Sequence, residues 1–310
     1  MKIEIILVFL LLTFASCIKE VDFNVGNVPQ RLVINSVMEA YNPITVNVSG
    51  LQSILDTSLL FINNANVIIE EEGGNTDTLD YTSNGDYVSS IVSMPGRIYR
   101  LVVEASGYPT VFSCDTVPLR VNIKYASKKE SVTLDEEGSP HNDFSVTFSP
   151  IEDKINYYEL FFMNQRRNED LNYNFDFEAS AVSIDPLIQA SGTADYNSIT
   201  YLFSDATVSE SEYTIAMKMI NYITGGGEYA KPIITGTVRV HAAVLRTVSK
   251  AYYDYRCSWE KHQCYKNDST KIEDIIYVPL IGEPEEMYSN IENGLGVFVA
   301  YNQDYYILRN

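Results

Sequence analysis

The stretch RLVINSVME, residues 31–39, indicates the fold class of this chain. Apolar and polar side chains alternate along it, as in a strand with one buried face. The same period recurs in runs that Gly, Asn, Asp or Pro separate: ITVNVSG (44–50), ANVIIEEE (65–72), IYRLVVEAS (98–106) and TVFSCDTVP (110–118). This spacing predicts an immunoglobulin-like or transthyretin-like β-sandwich domain over residues 31–120.

Strand-like runs resume after residue 120 and predict a second β-rich domain over residues 121–310. These runs are DFSVTFSP (143–150), NYYELFFMN (156–164), LNYNFDFEAS (171–180), SITYLFSD (198–205), SEYTIAMKMI (211–220) and TGTVRVHAAVLRTVS (235–249). One segment departs from the period of two. SKAYYDYRCSWEKHQC (249–264) opens with Ser249, a helix-capping residue type, and predicts one principal helix over about 249–263. The predicted fold class is therefore mainly β.

Aromatic residues of the predicted helix lie on one of its faces. Tyr252, Tyr255 and Trp259 stand at i, i+3 and i+7. We expect this face to pack on the second sheet. The alternative is a ligand or partner surface, on which the rings meet a sugar or a peptide side chain.

The N-terminus has the layout of a secretory signal. Lys2 precedes an apolar run from Ile5 to Phe14, and the small residues Ala15 and Ser16 follow it. The run supplies about half of the ~20 apolar residues that a membrane-spanning helix needs. It therefore predicts a signal peptide over residues 1–16.

Cys17 directly follows the small pair, and the segment LLTFASC resembles the bacterial lipobox, although Phe14 stands where that motif usually has Leu. The resemblance implies lipid attachment at Cys17 and a linker over residues 17–30; an ordinary secreted protein with a chance cysteine is the alternative. Lys19, Glu20 and Asp22 in IKEVDF resemble the surface-export signal of Bacteroidota lipoproteins. This implies an outer-membrane protein that faces outside the cell, unless the segment is only a solvated linker.

The charge balance argues against nucleic acid as a partner. Twenty-two Lys and Arg residues stand against 41 Asp and Glu residues, which gives a formal net charge of −19. Phosphates would be repelled rather than neutralised. We expect the acidity to serve solubility outside the cell or repulsion from anionic lipid headgroups.

Three cysteines remain after Cys17: Cys114, Cys257 and Cys264. An odd number cannot all pair within the chain. Seven residues of helix would separate the Cα atoms of Cys257 and Cys264 by ~10 Å, too far for a disulfide, so we expect a bridge only if the helix ends between them. CSWEKHQC also lacks the paired CxxC spacing of a zinc site, and no metal is predicted.

The remaining motif-like segments favour turns over sites. LDEEGSPHND (134–143) lacks the alternating acidic spacing of a calcium loop, and TGGGE (224–228) lacks the Gly-Lys-Ser/Thr of a phosphate loop. The histidines His141, His241 and His262 stand in no nucleophile–base pattern, and neither GxSxG nor HExxH occurs. We therefore predict no catalytic residue and no cofactor.

The C-terminal segment GEPEEMYSNIENGLGVFVAYN (282–302) carries a family resemblance. Together with the lipobox, the RLVINSVME strand and the AYYDYRCSWE helix, it resembles the family called domain of unknown function 4249. The residues that match are Ser289, Asn290, Ile291, Asn293, Gly294, Leu295, Gly296 and Phe298. A structural role explains them, since ENGLG supplies a tight turn and VFVAY a closing strand.

The family carries no established catalytic residues, so none is transferred. The resemblance implies a Bacteroidota outer-membrane lipoprotein of the kind usually encoded beside TonB-dependent transporters. We expect a non-enzymatic, surface-exposed lipoprotein that is an accessory or ligand-binding partner of such a transporter, with a peptide or glycan nutrient as the ligand. The alternatives are a structural or adhesive cell-surface lipoprotein and, less favoured, a hydrolase.

Overall fold

The computed structural model describes residues 29–53, 56, 58–134, 140–167, 173–177, 181–183, 185–191, 200–220, 241–267 and 286–308. The predictions on the signal peptide, on Cys17, on most of the linker, on the centre of the segment LDEEGSPHND (residues 135–139) and on TGGGE (224–228) lie outside these residues.

Strands make up most of the described chain. In the N-terminal half they are β1 (Leu32–Glu39), β2 (Pro43–Gly50), β3 (Asn66–Glu71), β4 (Thr76–Thr78), β5 (Asp80–Tyr81), β6 (Asp86–Val92), β7 (Ile98–Glu104) and β8 (Val111–Thr116). In the C-terminal half they are β9 (Ile123–Leu134), β10 (Pro140–Phe148), β11 (Tyr157–Arg167), β12 (Tyr173–Phe177), β13 (Ala181–Ser183), β14 (Tyr201–Ser204), β15 (Tyr213–Ile220), β16 (His241–Val248) and β17 (Leu295–Leu308). The helices are α1 (Pro186–Ala190) and α2 (Lys250–Asn267).

The predicted fold class, mainly β with one principal helix, is confirmed. The finer assignment to an immunoglobulin-like or transthyretin-like sandwich stays a prediction. The described strands form a large sheet with the order β12-β11-β16-β17-β1-β2-β6-β5, in which β14 also pairs with β11. Two four-stranded sheets, β4-β3-β7-β8 and β13-β15-β10-β9, accompany it.

The last strand, β17, has two partners in succession. Residues Leu295 to Tyr301 run parallel to β1, and residues Tyr301 to Leu308 run antiparallel to β16. One 14-residue strand therefore joins the two halves of the large sheet. We call the part that contains β1 to β8 the N-terminal lobe and the part that contains β9 to β16 the C-terminal lobe.

The N-terminal lobe buries the alternating apolar side chains that the sequence shows. Leu32, Ile34 and Met38 of β1 point into a core shared with the β4-β3-β7-β8 sheet. Phe298 and Ala300 of β17 lie in the same core. The predicted division at residues 120 and 121 stays a prediction, but the C-terminal strand contributes to the core of the first of the two predicted domains.

The C-terminal lobe has an aromatic core. The rings of Phe148, Tyr158 and Phe203 lie with centroids 5.0–5.9 Å apart. The hydroxyl of Tyr158 donates to the buried carboxylate of Asp205 at 2.7 Å, and the side-chain amide of Asn156 donates to the same oxygen at 2.7 Å. Asp205, Asn156 and Tyr158 are thus paired with one another, as buried polar groups require.

Helix α2 begins after Ser249, whose Oγ accepts the backbone N–H of Tyr252 at 3.1 Å as an N-cap. The predicted helix is confirmed, and it continues to Asn267. It packs on Val248, Val297 and Val299 of the large sheet. Within the described ranges, neither helix has the length and apolarity needed to cross a membrane.

Candidate functional site

The three aromatic residues predicted on one face of α2 differ in their exposure. Tyr252 is only 5% exposed and packs with Val248, Val297 and Val299, so it is a core residue. Tyr255 and Trp259 are partly exposed, and the guanidinium of Arg256 lies 5.2 Å from the centroid of the Trp259 ring. For these two residues the ligand or partner surface stays a prediction.

A buried cluster of charges joins α2 to the large sheet beneath it. Glu159 of β11, 1% exposed, accepts a hydrogen bond from Arg246 of β16 at 3.0 Å through Oε2. Its Oε1 accepts one from Nε of Arg256, on α2, at 3.1 Å. The hydroxyl of Tyr252 donates to Oε2 at 2.7 Å. We call these residues, with Thr200 and Glu260, the Glu159 cluster.

The outer members of the cluster complete the pairing. Nη2 of Arg256 donates to Thr200 Oγ1 at 2.9 Å and to Glu260 Oε1 at 2.8 Å. Nε of Arg246 donates to Gln303 of β17 at 3.1 Å. The guanidinium of Arg246 also lies 4.4 Å from the ring centroid of Tyr301, so both arginines are held on several sides.

Electrostatics keep Glu159 ionised. Burial raises the pKa of its carboxyl. The charges of Arg256 and Arg246 and the hydrogen bond from Tyr252 together lower that pKa by more than burial raises it, so the net pKa lies below the ordinary value. Burial and the adjacent carboxylate raise the pKa of the Tyr252 phenol, which stays protonated and continues to donate. Because its oxygens accept from Arg246 on the sheet and from Arg256 and Tyr252 on the helix, the Glu159 carboxylate links α2 to the large sheet.

The Glu159 cluster is not among the sites predicted from the sequence. Its signal is nevertheless present there, because Glu159 interrupts the apolar run YYELFF and Arg246 interrupts AAVLRTV. A single charge within an apolar strand indicates a buried, paired group when a helix covers that face of the sheet.

The C-terminal motif holds the start of β17 against the N-terminal lobe. The side chain of Asn290 imitates a strand: its Nδ2 donates to the carbonyl of Phe298 at 2.7 Å, and its Oδ1 accepts the N–H of Phe298 at 2.9 Å. Ser113 of β8 donates to the backbone carbonyl of Asn290 at 2.8 Å. Ile291 is buried beside Phe298 in the core.

The remaining motif residues form the turn before β17 and the first two residues of that strand. Asn293 has a φ of 62° and donates from Nδ2 to the carbonyl of Thr110 at 3.2 Å. Gly296 has a φ of 102°, and a Cβ there would lie 1.9 Å from the carbonyl oxygen of Ile34. Ser289 precedes the turn and Leu295 begins β17, and a Cβ at Gly294 would lie 2.9 Å from Val111. These contacts account for the motif without a ligand.

A shallow concave surface of about 220 Å³ lies on the β13-β15-β10-β9 sheet. Its lining mixes polar and apolar side chains: Ser127, Lys129, Asp143, Phe144, Ser145, Ala216, Met217 and Lys218. Asp143 stands in register between Lys129 on one neighbouring strand and Lys218 on the other. Ser127 and Ser145 share a hydrogen bond at 2.7 Å. We call this the sheet-face groove; its volume is below that of drug-sized sites and suits one sugar ring or one amino-acid side chain.

Residues 18–307 match the family model described as Domain of unknown function (DUF4249). The chain belongs to the DUF4249 family. The resemblance carried by SNIENGLGVF is thereby confirmed, while the Bacteroidota lipoprotein context stays a prediction. No curated protein matches the chain.

In this DUF4249 protein the helix does not end between Cys257 and Cys264, which was the condition for a disulfide between them. Helix α2 runs without interruption from Lys250 to Asn267, and Cys257 is free within it. Burial raises the pKa of the Cys257 thiol to about 11. Cys114 is free and exposed, and the side chain of Cys264 lies outside the described part. Over the described ranges, no group of three or more His, Cys, Asp or Glu side chains could hold a metal.

Asp115 of β8 is a half-buried acid beside the start of α2. Its Oδ2 is buried, and no donor in the described structure reaches it. Burial raises the pKa of this carboxyl to about 6, although hydrogen bonds from Ser249, Thr116 and Ala300 partly oppose the rise. The groups that face it include Tyr99, opposite it in register, and Tyr288, whose pKa its charge helps to raise.

We expect Asp115→Asn to stabilise the fold at pH 7.5 by about 1–2 kcal/mol. The folded pKa lies above the unfolded value, so this acid costs nothing below pH ~4 and its cost grows as pH rises through about 6. Urea unfolding of both proteins at pH 7.5 and at pH 4 measures the difference. An equal difference at the two pH values would contradict the assignment.

Asp77→Asn is the control with the opposite sign. Hydrogen bonds from the Ser89 hydroxyl at 2.6 Å and the Ser90 backbone at 2.7 Å lower the pKa of Asp77, although burial partly opposes this. Asp77→Asn should therefore lower the free energy of unfolding at pH 7.5, and this destabilisation should become smaller as pH falls.

Proposed function

We propose that the protein is a non-enzymatic, lipid-anchored outer-membrane protein that faces outside the cell and assists a TonB-dependent nutrient transporter as an accessory or ligand-binding partner. The observation that carries this proposal is the placement of Cys17, directly after an apolar signal-like run and shortly before Leu32, where β1 begins. Membership of the DUF4249 family supports it through the resemblance described above.

The short linker restricts where such a protein works. Residues 17–30 span at most about 50 Å when fully extended. The folded body therefore stays close to the membrane that holds the anchor. Tethering of this kind raises the effective concentration of a weak interface with a neighbouring membrane protein.

The sheet-face groove supports the ligand-binding part of the proposal. The ammonium groups of Lys129 and Lys218 can donate hydrogen bonds to a sugar hydroxyl or to a peptide carbonyl. On a chain of net charge −19, the pair Lys129 and Lys218 offers a local positive contribution. A polar nutrient of the size of one sugar ring or one amino acid fits this surface.

Replacing Cys17 with Ala is expected to move the protein from the membrane fraction to the soluble fraction, because the acyl chains supply about 0.8 kcal/mol per buried CH₂ and several are lost together. A carbonate wash of membranes followed by immunoblotting measures the distribution. Cys114→Ala is the matched control, since this thiol is exposed and free, and it should stay in the membrane fraction. A Cys17→Ala protein that resists the wash would exclude the lipid anchor.

The partner is tested by affinity purification from solubilised outer membranes and mass spectrometry. We expect a TonB-dependent transporter to co-purify with the anchored protein. A Lys129→Ala, Lys218→Ala double variant should keep the transporter and reduce nutrient uptake. Recovery of no transporter after cross-linking in intact cells would reject the partnership.

A further inference from the structure

Strand β9 is one edge of the β13-β15-β10-β9 sheet. It runs from Ile123 to Leu134 and pairs with β10 on one side. Within the ranges that the structure describes, no strand pairs with its other side. A strand at the end of a sheet presents a row of backbone N–H and C=O groups, which a second extended chain can use as hydrogen-bond partners. We call the side of β9 away from β10 the β9 edge.

The ladder between β9 and β10 sets the usable length of this edge. Pairing is regular from Tyr125 to Lys129, and the register shifts at both ends of that stretch. Before it, the N–H of Ile123 donates to Oδ2 of Asp304 at 2.8 Å, so β17 occupies the start of β9. Residues 125–129 span about 16 Å at ~3.3 Å per residue, which matches a short strand.

The two faces of the sheet differ beside this edge. Phe144 of β10 lies in the core, in register with Lys128 of β9. Side chains alternate between faces along a strand, so Lys129 and Asp143, the next pair in register, lie on the face away from the core. A chain that adds to the β9 edge places every second side chain on this face, and the one opposite Lys129 lies about 5 Å from it, Cβ to Cβ.

Charge determines which kind of chain fits the edge. Strand β9 carries three lysines, Lys124, Lys128 and Lys129, and one acid, Glu130, whereas the whole chain has a net charge of −19. A second copy of β9 on the edge would bring the lysines of two strands together, and like charges opposite each other in a sheet are destabilising. A chain with acidic side chains meets the opposite charge instead.

We propose that the β9 edge binds an extended peptide with acidic side chains, which adds a strand to the β13-β15-β10-β9 sheet. This inference rests on the proposed function, in which the ligand is a peptide or a glycan, and it narrows the ligand to a peptide. Lys124 pairs with Glu212 at 2.5 Å, and Lys128 is in register with a core residue, so Lys129 is the cation that the peptide meets on the face away from the core. Backbone hydrogen bonds hold the peptide, and Lys129 favours a carboxylate opposite it.

The test uses residues 18–310 and a fluorescein-labelled peptide of about eight residues, the length of an ordinary strand, in which threonine and glutamate alternate. Fluorescence anisotropy measures binding. Two further versions of the peptide carry N-methyl groups, one on the threonine amides and the other on the glutamate amides. Successive amides of a strand point to opposite sides, and only one side faces β9. We therefore expect one N-methylated version to lose binding and the other to keep it.

Lys129→Glu is the protein variant, and Lys154→Glu is its matched control, because Lys154 is an exposed lysine between β10 and β11 and both changes alter the net charge equally. We expect Lys129→Glu to weaken binding about tenfold, the effect of losing one charge-assisted hydrogen bond, and Lys154→Glu to weaken it less than about twofold. The proposal is overturned by an equal effect of the two variants, by equal binding of the two N-methylated peptides, or by no binding of the parent peptide.

A second copy of the chain is the alternative occupant of the edge. Sedimentation of the protein alone shows whether it dimerises, and a dimer that the peptide dissociates assigns the edge to a second copy and also overturns the proposal. Peptide binding is measured without an anchor or a transporter, so its failure leaves the carbonate-wash and co-purification results unchanged. Failure of those two tests rejects the proposed function and leaves the peptide result as it stands.

Discussion

Replacing Gly296 with Ala is expected to destabilise the fold by more than about 4 kcal/mol, which approaches the whole stability of a typical domain. The new Cβ would lie 1.9 Å from the carbonyl oxygen of Ile34 and 2.9 Å from its carbonyl carbon. Both are backbone atoms of the strand opposite, so no side chain can rotate away. The φ of 102° adds strain of its own for an alanine.

Urea unfolding, or the yield of soluble protein where no folded variant is recovered, measures this loss. Gly73→Ala is the matched control, because Gly73 also has a positive φ, 69°, but a Cβ there has nothing within 4 Å. It should cost only about 1–2 kcal/mol. Equal midpoints for the two variants would show that β17 does not approach β1 in this register.

Replacing Glu159 with Gln is expected to cost about 3–5 kcal/mol, because it removes the carboxylate that pairs with Arg246 and one of the two carboxylates that pair with Arg256, and both arginines are largely buried. An amide also presents an N–H where Arg246 or Arg256 needs an acceptor. The folded pKa of Glu159 is lowered, so its stabilising contribution is present above the unfolded pKa and is lost as pH falls through the folded value. The gap between the two proteins should therefore narrow in acid.

Asp254→Asn is the control for this change. Asp254 pairs with Lys250 one turn along α2 at 2.6 Å, on a side where the lysine is 62% exposed. Such a pair contributes about 0.3–0.5 kcal/mol. If Glu159→Gln shifts the urea midpoint no further than Asp254→Asn, the Glu159 cluster does not stabilise the contact between α2 and the large sheet.

The local structure of this protein could be predicted from its sequence. The period of two in residues 31–39 predicts β1, and Ser249 with the aromatic spacing after it predicts α2. Both signals depend only on neighbours in the chain. The parallel pairing of β1 with β17 has no local signal, because the partner strand stands near the other end of the chain and parallel pairs carry no turn residues.

The candidate sites show the same limit. The spacing of aromatic residues alone predicts that Tyr252 lies on the packing face of the helix. The pairing of Glu159 with Arg246 cannot be predicted without knowing that α2 covers their strands. Lys129, Asp143 and Lys218 come from three different strands, so no pattern within one segment brings them together. The β9–β10 pair also contains register shifts, which alternation in the sequence does not predict.

The position of β17 also determines the order in which the protein reaches its native state. A ribosome synthesises the N-terminal lobe first, yet that lobe lacks Phe298 and Ala300 of its core, and β1 has an unpaired edge, until almost the entire chain has been made. Folding that waits for such distant contacts is slow. For the exported protein proposed above, slow folding would keep the chain extended until export is complete. A truncated chain, in contrast, never closes the sheet and leaves an open strand edge prone to aggregation.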